Sequence, residues 1–205
     1  MSIHLARVGG GTSSVVARGS EPSTSRNGRY LTWTTGDANA RRIEYLDLHD
    51  AASGPKPFAA ASGIAGSARL SPDGRSIAYV EGDWASGRFE VYVGSFPDGR
   101  DKAQVSSGGI TSRTQIRWNS RGDRLFYVRN ADGALMEVTV GREGGVQLSA
   151  PRVLFTESSA KLKLADGFGI NSDGSQFLVV RESVPHGAEA GAFILVRNWI
   201  EEFRR

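Results

Sequence analysis

The chain contains no cysteine, and this absence excludes disulfide bonds and thiolate metal sites. It has only three histidines, His4, His49 and His186, which lie far apart and lack the spacing of a helical metal pair. Residues 1–7 include no apolar run long enough for a signal peptide or a membrane span. As written, the sequence predicts a soluble, cytoplasmic protein, an expectation that does not apply to a fragment of a larger protein.

The sequence also lacks a large net charge and the common catalytic motifs. The 25 basic and 22 acidic side chains give a net charge of +3, too small and too scattered to indicate nucleic-acid binding. The sequence has neither the Gly-x-Ser-x-Gly elbow of serine hydrolases nor a phosphate-binding loop. Asp73, Asp123 and Asp173 occupy equivalent polar turns, where a structural role is sufficient. We therefore expect no enzyme, no catalytic residue, no metal site and no cofactor.

What the chain does have is a short motif repeated four times, at residues 25–31, 71–77, 120–126 and 172–178. Each copy is a polar Asp/Asn-Gly turn followed by a β-branched and aromatic run, and the period is roughly 45 to 50 residues, which is typical of β-propeller blades. In the third copy the order is Gly122-Asp123. Either that turn is of another type, or Asp123 adopts the left-handed conformation.

The repeats predict an all-β chain: a β-propeller or partial propeller with about four four-stranded blades plus an N-terminal pair of strands. The second copy illustrates one blade, with strands predicted at 67–70, 76–80, 89–95 and 103–106. The predicted units are a half blade at 1–20, blades at 21–62, 63–110 and 111–158, and a blade with a C-terminal tail at 159–205. Either the N-terminal strand completes the fourth blade, or a partial propeller self-associates through open blade edges; the second is slightly favoured.

A family resemblance rests on particular residues. The segments 70–79 and 89–97 resemble the TolB-type WD40-like (PD40) propeller repeat. From about residue 67 onward, the segments 104–106, 117–119, 125–127, 152–155 and 198–203 occur in the order found in the C-terminal propeller of bacterial serine/threonine protein kinases. This resemblance implies a bacterial propeller that recognises a partner, with any chemistry in another domain. No kinase motif is present, so no kinase activity is implied.

Candidate binding residues come mainly from loops on the face opposite the Asp-Gly turns. Trp84 lies in a polar loop, where a large aromatic side chain either anchors a partner or folds back over the blade edge. Arg113 and Arg117 either reach the propeller axis and bind an anion or stack on Trp118. The full predicted set is Trp84, Arg88, Arg113, Arg117, Lys161, Lys163 and His186.

Lys161 and Lys163 alternate with leucines, which predicts either an extra strand or a strand that docks a partner. The sequence thus favours a non-catalytic binding or sensor module that recognises a protein or peptide, or a second copy of itself, as in an accessory domain of a signalling protein. The alternative is the propeller of a peptidase or other hydrolase with its catalytic part elsewhere. A hydrolase or lyase that uses the central cavity is the least favoured interpretation, because no cluster of carboxylates supports it.

Overall fold

The computed structural model describes residues 1–6, 13–61, 63–110, 115–156, 163–180 and 193–196. Its first two strands, β1 (Ser2–Ala6) and β2 (Ser13–Arg18), form an antiparallel pair of their own. The next sheet has the order β3-β4-β5-β6. These strands are β3 (Ser20–Thr24), β4 (Tyr30–Thr35), β5 (Arg42–Asp47) and β6 (Lys56–Pro57). A short 3₁₀ helix, Leu48–Ser53, connects β5 to β6.

The second and third repeats each form one antiparallel sheet. The second sheet contains β7 (Ile64–Leu70), β8 (Ser76–Asp83), β9 (Arg88–Ser95) and β10 (Ala103–Gln104). The third contains β11 (Ile116–Trp118), β12 (Arg124–Arg129), β13 (Ala134–Gly141), β14 (Gln147–Leu148) and β15 (Arg152–Thr156). It has five strands instead of the predicted four because β13 pairs with β14 near Val140 and with β15 near Leu135.

The fourth repeat forms a sheet of three described strands, β16 (Lys163–Ile170), β17 (Phe177–Val180) and β18 (Phe193–Val196). The predicted architecture of about four blades and an N-terminal pair is confirmed. In the described residues β1 pairs with β2 and packs beside the first blade through Ile3, and neither strand joins the fourth sheet. The predicted tail at 198–203 lies outside the described residues.

The blades pack face to face because side chains alternate along each strand. In β8, Ile77 and Tyr79 are buried against the first blade, whereas Ala78 and Val80 are buried against the third. In β12, Phe126 belongs to the cluster shared with the fourth blade. Each inner blade therefore has two apolar faces, and neighbouring blades must cover both of them.

The repeated turn is built around one capping residue, whose side chain accepts a hydrogen bond from the backbone N–H five residues later. In the first two blades the capping residue is Ser25 or Ser71, and the donors are Tyr30 and Ser76. In the last two blades the capping residue is an asparagine. Asn119 Oδ1 accepts from Arg124, and Asn171 Oδ1 accepts from Gln176, both at 3.1 Å.

This pattern corrects the sequence alignment of the third and fourth copies, which begin one residue earlier than Ser120 and Ser172. Gly122 has a φ of +72° and stands where the other turns have their glycine. Asp123 is not among the residues with positive φ, so neither prediction for this turn was right. The third blade has the same turn as the other blades, and this turn begins at Asn119, one residue before Ser120.

Candidate functional site

The first strands of all four blades converge on a central cleft of about 540 Å³. Each of β3, β7, β11 and β16 contributes residues to its wall, and the capping turns form its rim. Among the described residues that line the cleft, three are arginines and none is acidic. The lining residues are Pro22, Ser23, Thr24, Arg26, Arg69, Leu70, Pro72, Ile116, Arg117, Trp118, Asn119, Ser120, Ile170, Asn171 and Ser172.

Irregular backbone brings the first two strands to this cleft. The register of β3 shifts between Ser20 and Ser23, and that of β7 shifts between Gly66 and Arg69. Within these bulges, Glu21 and Ser67 adopt positive φ values of 56° and 53°, a conformation that non-glycine residues rarely adopt. Bulges bend a strand and redirect its side chains, and here they lie directly before the residues that line the cleft.

The Glu21 carboxylate joins the first two blades beside the cleft. It accepts hydrogen bonds from the Thr34 hydroxyl at 2.9 Å, from Arg41 Nη2 at 2.6 Å and from the Ser67 backbone N–H at 2.9 Å. Burial raises the pKa of Glu21, but the bonds from Ser67, Thr34 and Arg41 outweigh this effect, so the net pKa is below its usual value. Glu21 is therefore an ionised link between β3, β4 and β7.

Arg69 and Arg117 occupy equivalent positions, each two residues before the capping residue of its blade. Arg69 Nη1 donates to the Ala68 carbonyl at 2.7 Å, and Arg117 donates to the Ile116 carbonyl at 3.1 Å and to Gln115 Oε1 at 2.7 Å. Burial lowers the pKa of both guanidinium groups, and the charge of Arg69 lowers that of Arg117 further. Both stay protonated at neutral pH, because arginine is not deprotonated in proteins.

Direct contacts between turns hold the rim of the cleft. The Arg26 N–H donates to the Pro72 carbonyl at 3.1 Å, and the Ser120 N–H donates to the Ser172 carbonyl at 2.8 Å. The equivalent bond between the second and third blades is impossible because Pro72 has no N–H. Arg142 connects these two turns instead, since it donates to Asp73, to Ser76 Oγ and to the Gly122 carbonyl.

The structure separates the predicted residues Trp84 and Arg88 from the cleft. The Trp84 indole N–H donates to the Ala38 carbonyl of the first blade at 2.6 Å, and the ring packs on Phe89 with a centroid distance of 4.7 Å. Trp84 thus folds back over the blade edge while 45% of it stays exposed. Arg88 begins β9 and is exposed at the same end of the sheet. Partner binding by these residues stays a prediction.

Of the predicted site residues that the structure describes, Arg117 alone lines the cleft. Its sequence neighbour Trp118 is oriented by an indole N–H bond to the Arg69 carbonyl at 3.0 Å. Arg113, Lys161 and His186 lie outside the described residues, and Lys163 begins β16, where its backbone pairs with Val180. Sequence reasoning missed Arg69, although its position relative to the turn, the same as that of Arg117, was a signal that could have identified it.

The described residues contain neither a cluster of side chains for a metal ion nor a membrane-spanning helix. No group of three or more histidine or acidic side chains that could hold a metal ion occurs there. The same part of the chain contains no helix that is long and apolar enough to cross a membrane.

The series of small antiparallel sheets agrees with the comparison with solved structures. TolB from Acinetobacter baumannii superposes with a TM-score of 0.64 over 96% of this chain and 46% of that chain, at 18% identity. The chain has a β-propeller fold. A chain of the nidogen/laminin complex gives a TM-score of 0.56 over 88% of this propeller and 64% of that chain, at 13% identity.

The third similar structure is the β-propeller domain of the Trilobed protease from Pyrococcus furiosus, described as having an open velcro topology. It gives a TM-score of 0.52 over 87% of this propeller and 54% of that chain, at 15% identity. The propeller spans about half the length of the TolB structures that it matches, 46% of one and 56% of another. Comparisons with family models and with curated proteins find no match.

Proposed function

We propose that the propeller is a non-catalytic recognition module that binds a protein or peptide partner in its central cleft at the turn rim. The observation that carries this proposal is the composition of the cleft. Four inner strands line it with arginine, serine, asparagine and tryptophan, and among the described residues no aspartate, glutamate or histidine lines it. Such a surface offers hydrogen-bond donors and a flat aromatic ring, but no pair of acid and base for proton transfer.

The similar structures support this class of function. One of them is a chain from the crystal structure of a nidogen/laminin complex, which is an assembly of proteins. A propeller of a protease is also among them, which supports the alternative that a catalytic part lies elsewhere. The accessory domain of a bacterial signalling protein in the cytoplasm is the more specific form of the proposal, and it rests on the sequence resemblance alone.

A photo-crosslinking amino acid placed at the rim tests the location of binding. Ser172 is exposed at the rim of the cleft, and Ala85 is exposed in the β8–β9 loop at the opposite end of the blades. In the full chain expressed in cells, we expect a crosslinked partner from position 172 and none from the control position 85. Crosslinks from position 85 alone would move the binding site to the face that contains Trp84 and refute the cleft proposal.

Self-association is a second candidate, and it is favoured by how the turns pack. A Cβ built on Gly74, Gly122 or Gly174 would lie 3.2 Å, 3.6 Å and 3.6 Å from the Cβ of the preceding blade's capping residue. Gly28 has no atom within 4 Å of such a Cβ. At the other end Asn171 is partly exposed, whereas the other three capping residues are buried. The two ends are therefore complementary surfaces, which a second copy would cover.

The solution mass across a dilution series tests this second candidate. Val15 in β2 is 61% exposed and Leu178 in β17 is 45% exposed, so apolar side chains occur at both ends. We expect a dimer or larger species that Val15→Glu and Leu178→Glu each dissociate, with Ala85→Glu as a control of equal charge. A monomer at every concentration would exclude self-association.

A further inference from the structure

The geometry points to a specific ligand chemistry: we propose that Arg69 and Arg117 together bind an oxyanion, a carboxylate or a phosphate, in the central cleft. This inference rests on the proposed function in that the cleft is the recognition site, and it names the group that the cleft recognises. Both arginines line the cleft and occupy equivalent places on the neighbouring inner strands β7 and β11.

The two guanidinium groups are held in place by neutral acceptors. A guanidinium has five N–H donors, and the bonds of Arg69 and Arg117 go to backbone carbonyls and to the Gln115 amide. These bonds orient each planar group and leave further donors for a ligand. Planar, oriented guanidinium groups suit oxyanions because they donate two parallel N–H···O bonds to one anion.

The charge of this pair is not balanced by an adjacent carboxylate. In the described residues neither arginine forms an ion pair, whereas several other arginines do. Those paired arginines are Arg29, Arg41, Arg100, Arg124, Arg129, Arg142 and Arg152. Among the described residues the charge of Glu21 acts on Arg69, but Glu21 Oε2 already accepts bonds from Arg41, Thr34 and the Ser67 backbone, and Oε1 accepts from the Ser67 hydroxyl at 3.5 Å.

Two like charges that are partly removed from water are unfavourable for the free protein. Burial lowers the pKa of both groups, and the nearness of Arg69 lowers that of Arg117 again. An anion bound between the two guanidinium groups would offset their repulsion and their loss of hydration, because it would accept charge-assisted hydrogen bonds from both. Arg26, exposed at the rim of the same cleft, adds a third positive charge that attracts an anion from solution.

Titration of the purified full chain with citrate and with inorganic phosphate tests the site. Arginine Nε–Hε resonances in NMR spectra, together with calorimetry at low ionic strength, report the binding. We expect saturable shifts at Arg69 and Arg117, and a loss of affinity of roughly tenfold or more in either Arg69→Gln or Arg117→Gln. Arg42→Gln removes the same charge from an exposed position at the start of β5, at the opposite end of the blades, and is expected to bind as the wild type does.

Three outcomes would overturn the inference: no saturable binding of either anion, wild-type affinity in both cleft variants, or an equal loss in Arg42→Gln. If a glutamine variant does not fold, Arg117→Lys keeps the charge and loses the planar fork, and it should still weaken binding. A short peptide of aspartates and glutamates, compared with citrate and phosphate, shows whether the anion is carried by a partner or is free. Crosslinking at position 172 without anion binding would refute this inference and leave the proposed function intact.

Discussion

Replacing Glu21 tests whether one carboxylate couples the first two blades. The bonds that it accepts come from β4, from Arg41 and from the backbone of β7, so it links elements up to 46 residues apart. Hydrogen bonds to a charged group contribute about 1.5–3 kcal/mol each on a mutational scale. The Glu21 side chain is 27% exposed, and partial screening by water places the expected effect near the lower end of that range.

We therefore expect Glu21→Gln to lower the free energy of unfolding by about 1.5–2 kcal/mol at pH 7, measured by urea denaturation. Glu143 is exposed, and Glu143→Gln provides a control with the same chemical change and an expected effect within about 0.5 kcal/mol. Exchange of the Ser67 amide hydrogen gives a local measurement, because that N–H donates to Glu21. It should exchange faster in the Glu21 variant only.

The pH dependence of this difference has a defined sign. The pKa of Glu21 is lowered on folding from an ordinary value of 4.5. The stabilisation is therefore fully present above about pH 4.5 and is lost as the pH falls through the folded-state pKa. The gap between wild type and Glu21→Gln should be constant near neutrality and shrink in acid. A gap that widens in acid, or a variant no less stable than Glu143→Gln, would refute the reasoning.

The remaining predictions concern blade contacts and can be checked by thermal or urea denaturation. Arg142→Gln removes the bonds that connect the turns of the second and third blades, and it should lower the free energy of unfolding by about 1–2 kcal/mol. Arg100→Gln removes an exposed ion pair and should lower it by less than about 0.5 kcal/mol. Trp84→Phe keeps an aromatic ring but loses the indole N–H donor, and it should lower the free energy of unfolding by about 1 kcal/mol. Gly174→Ala should be more destabilising than Gly28→Ala: the φ values are alike, at +78° and +71°, but only at Gly174 would the new Cβ meet a side chain, at 3.0 Å. Equal effects of the two glycine variants would mean that blade packing does not restrict this turn.

The blades could be predicted because their signals are local. In the second blade the predicted strands at 76–80 and 89–95 correspond to Ser76–Asp83 and Arg88–Ser95, since alternating apolar residues and a glycine turn together specify a hairpin. The third and fourth turns were misaligned by one residue. Serine and asparagine side chains can both accept the hydrogen bond from the backbone N–H. The serine that recurs in the sequence motif is therefore not the capping residue in every blade.

The site depended on contacts between distant segments and was found only in part. Arg117 was predicted to face the axis, but its partner Arg69 lies on another blade, and only the assembled blades bring the two together. Trp84 looked like an exposed anchor because its acceptor, the Ala38 carbonyl, lies 46 residues away. The bulges at Glu21 and Ser67 had no sequence signal, since both residues ordinarily avoid positive φ.

Strained backbone and arginines without ion pairs occur together at one end of this propeller, and this is the strongest reason to place its function there. In the described residues, the non-glycine residues with positive φ are Glu21 and Ser67, both on inner strands next to the cleft. Arg69 follows Ser67 by two residues on β7, and Arg117 lies on the neighbouring inner strand β11; neither has an ion pair in that part of the chain. Natural sequences keep strain and unpaired charge mainly where a function requires them. On the opposite face Trp84 and Arg129 already have partners within the chain. The cleft therefore combines strained backbone with two partly buried arginines that have no ion pair, and a ligand that supplies negative charge would pair with them.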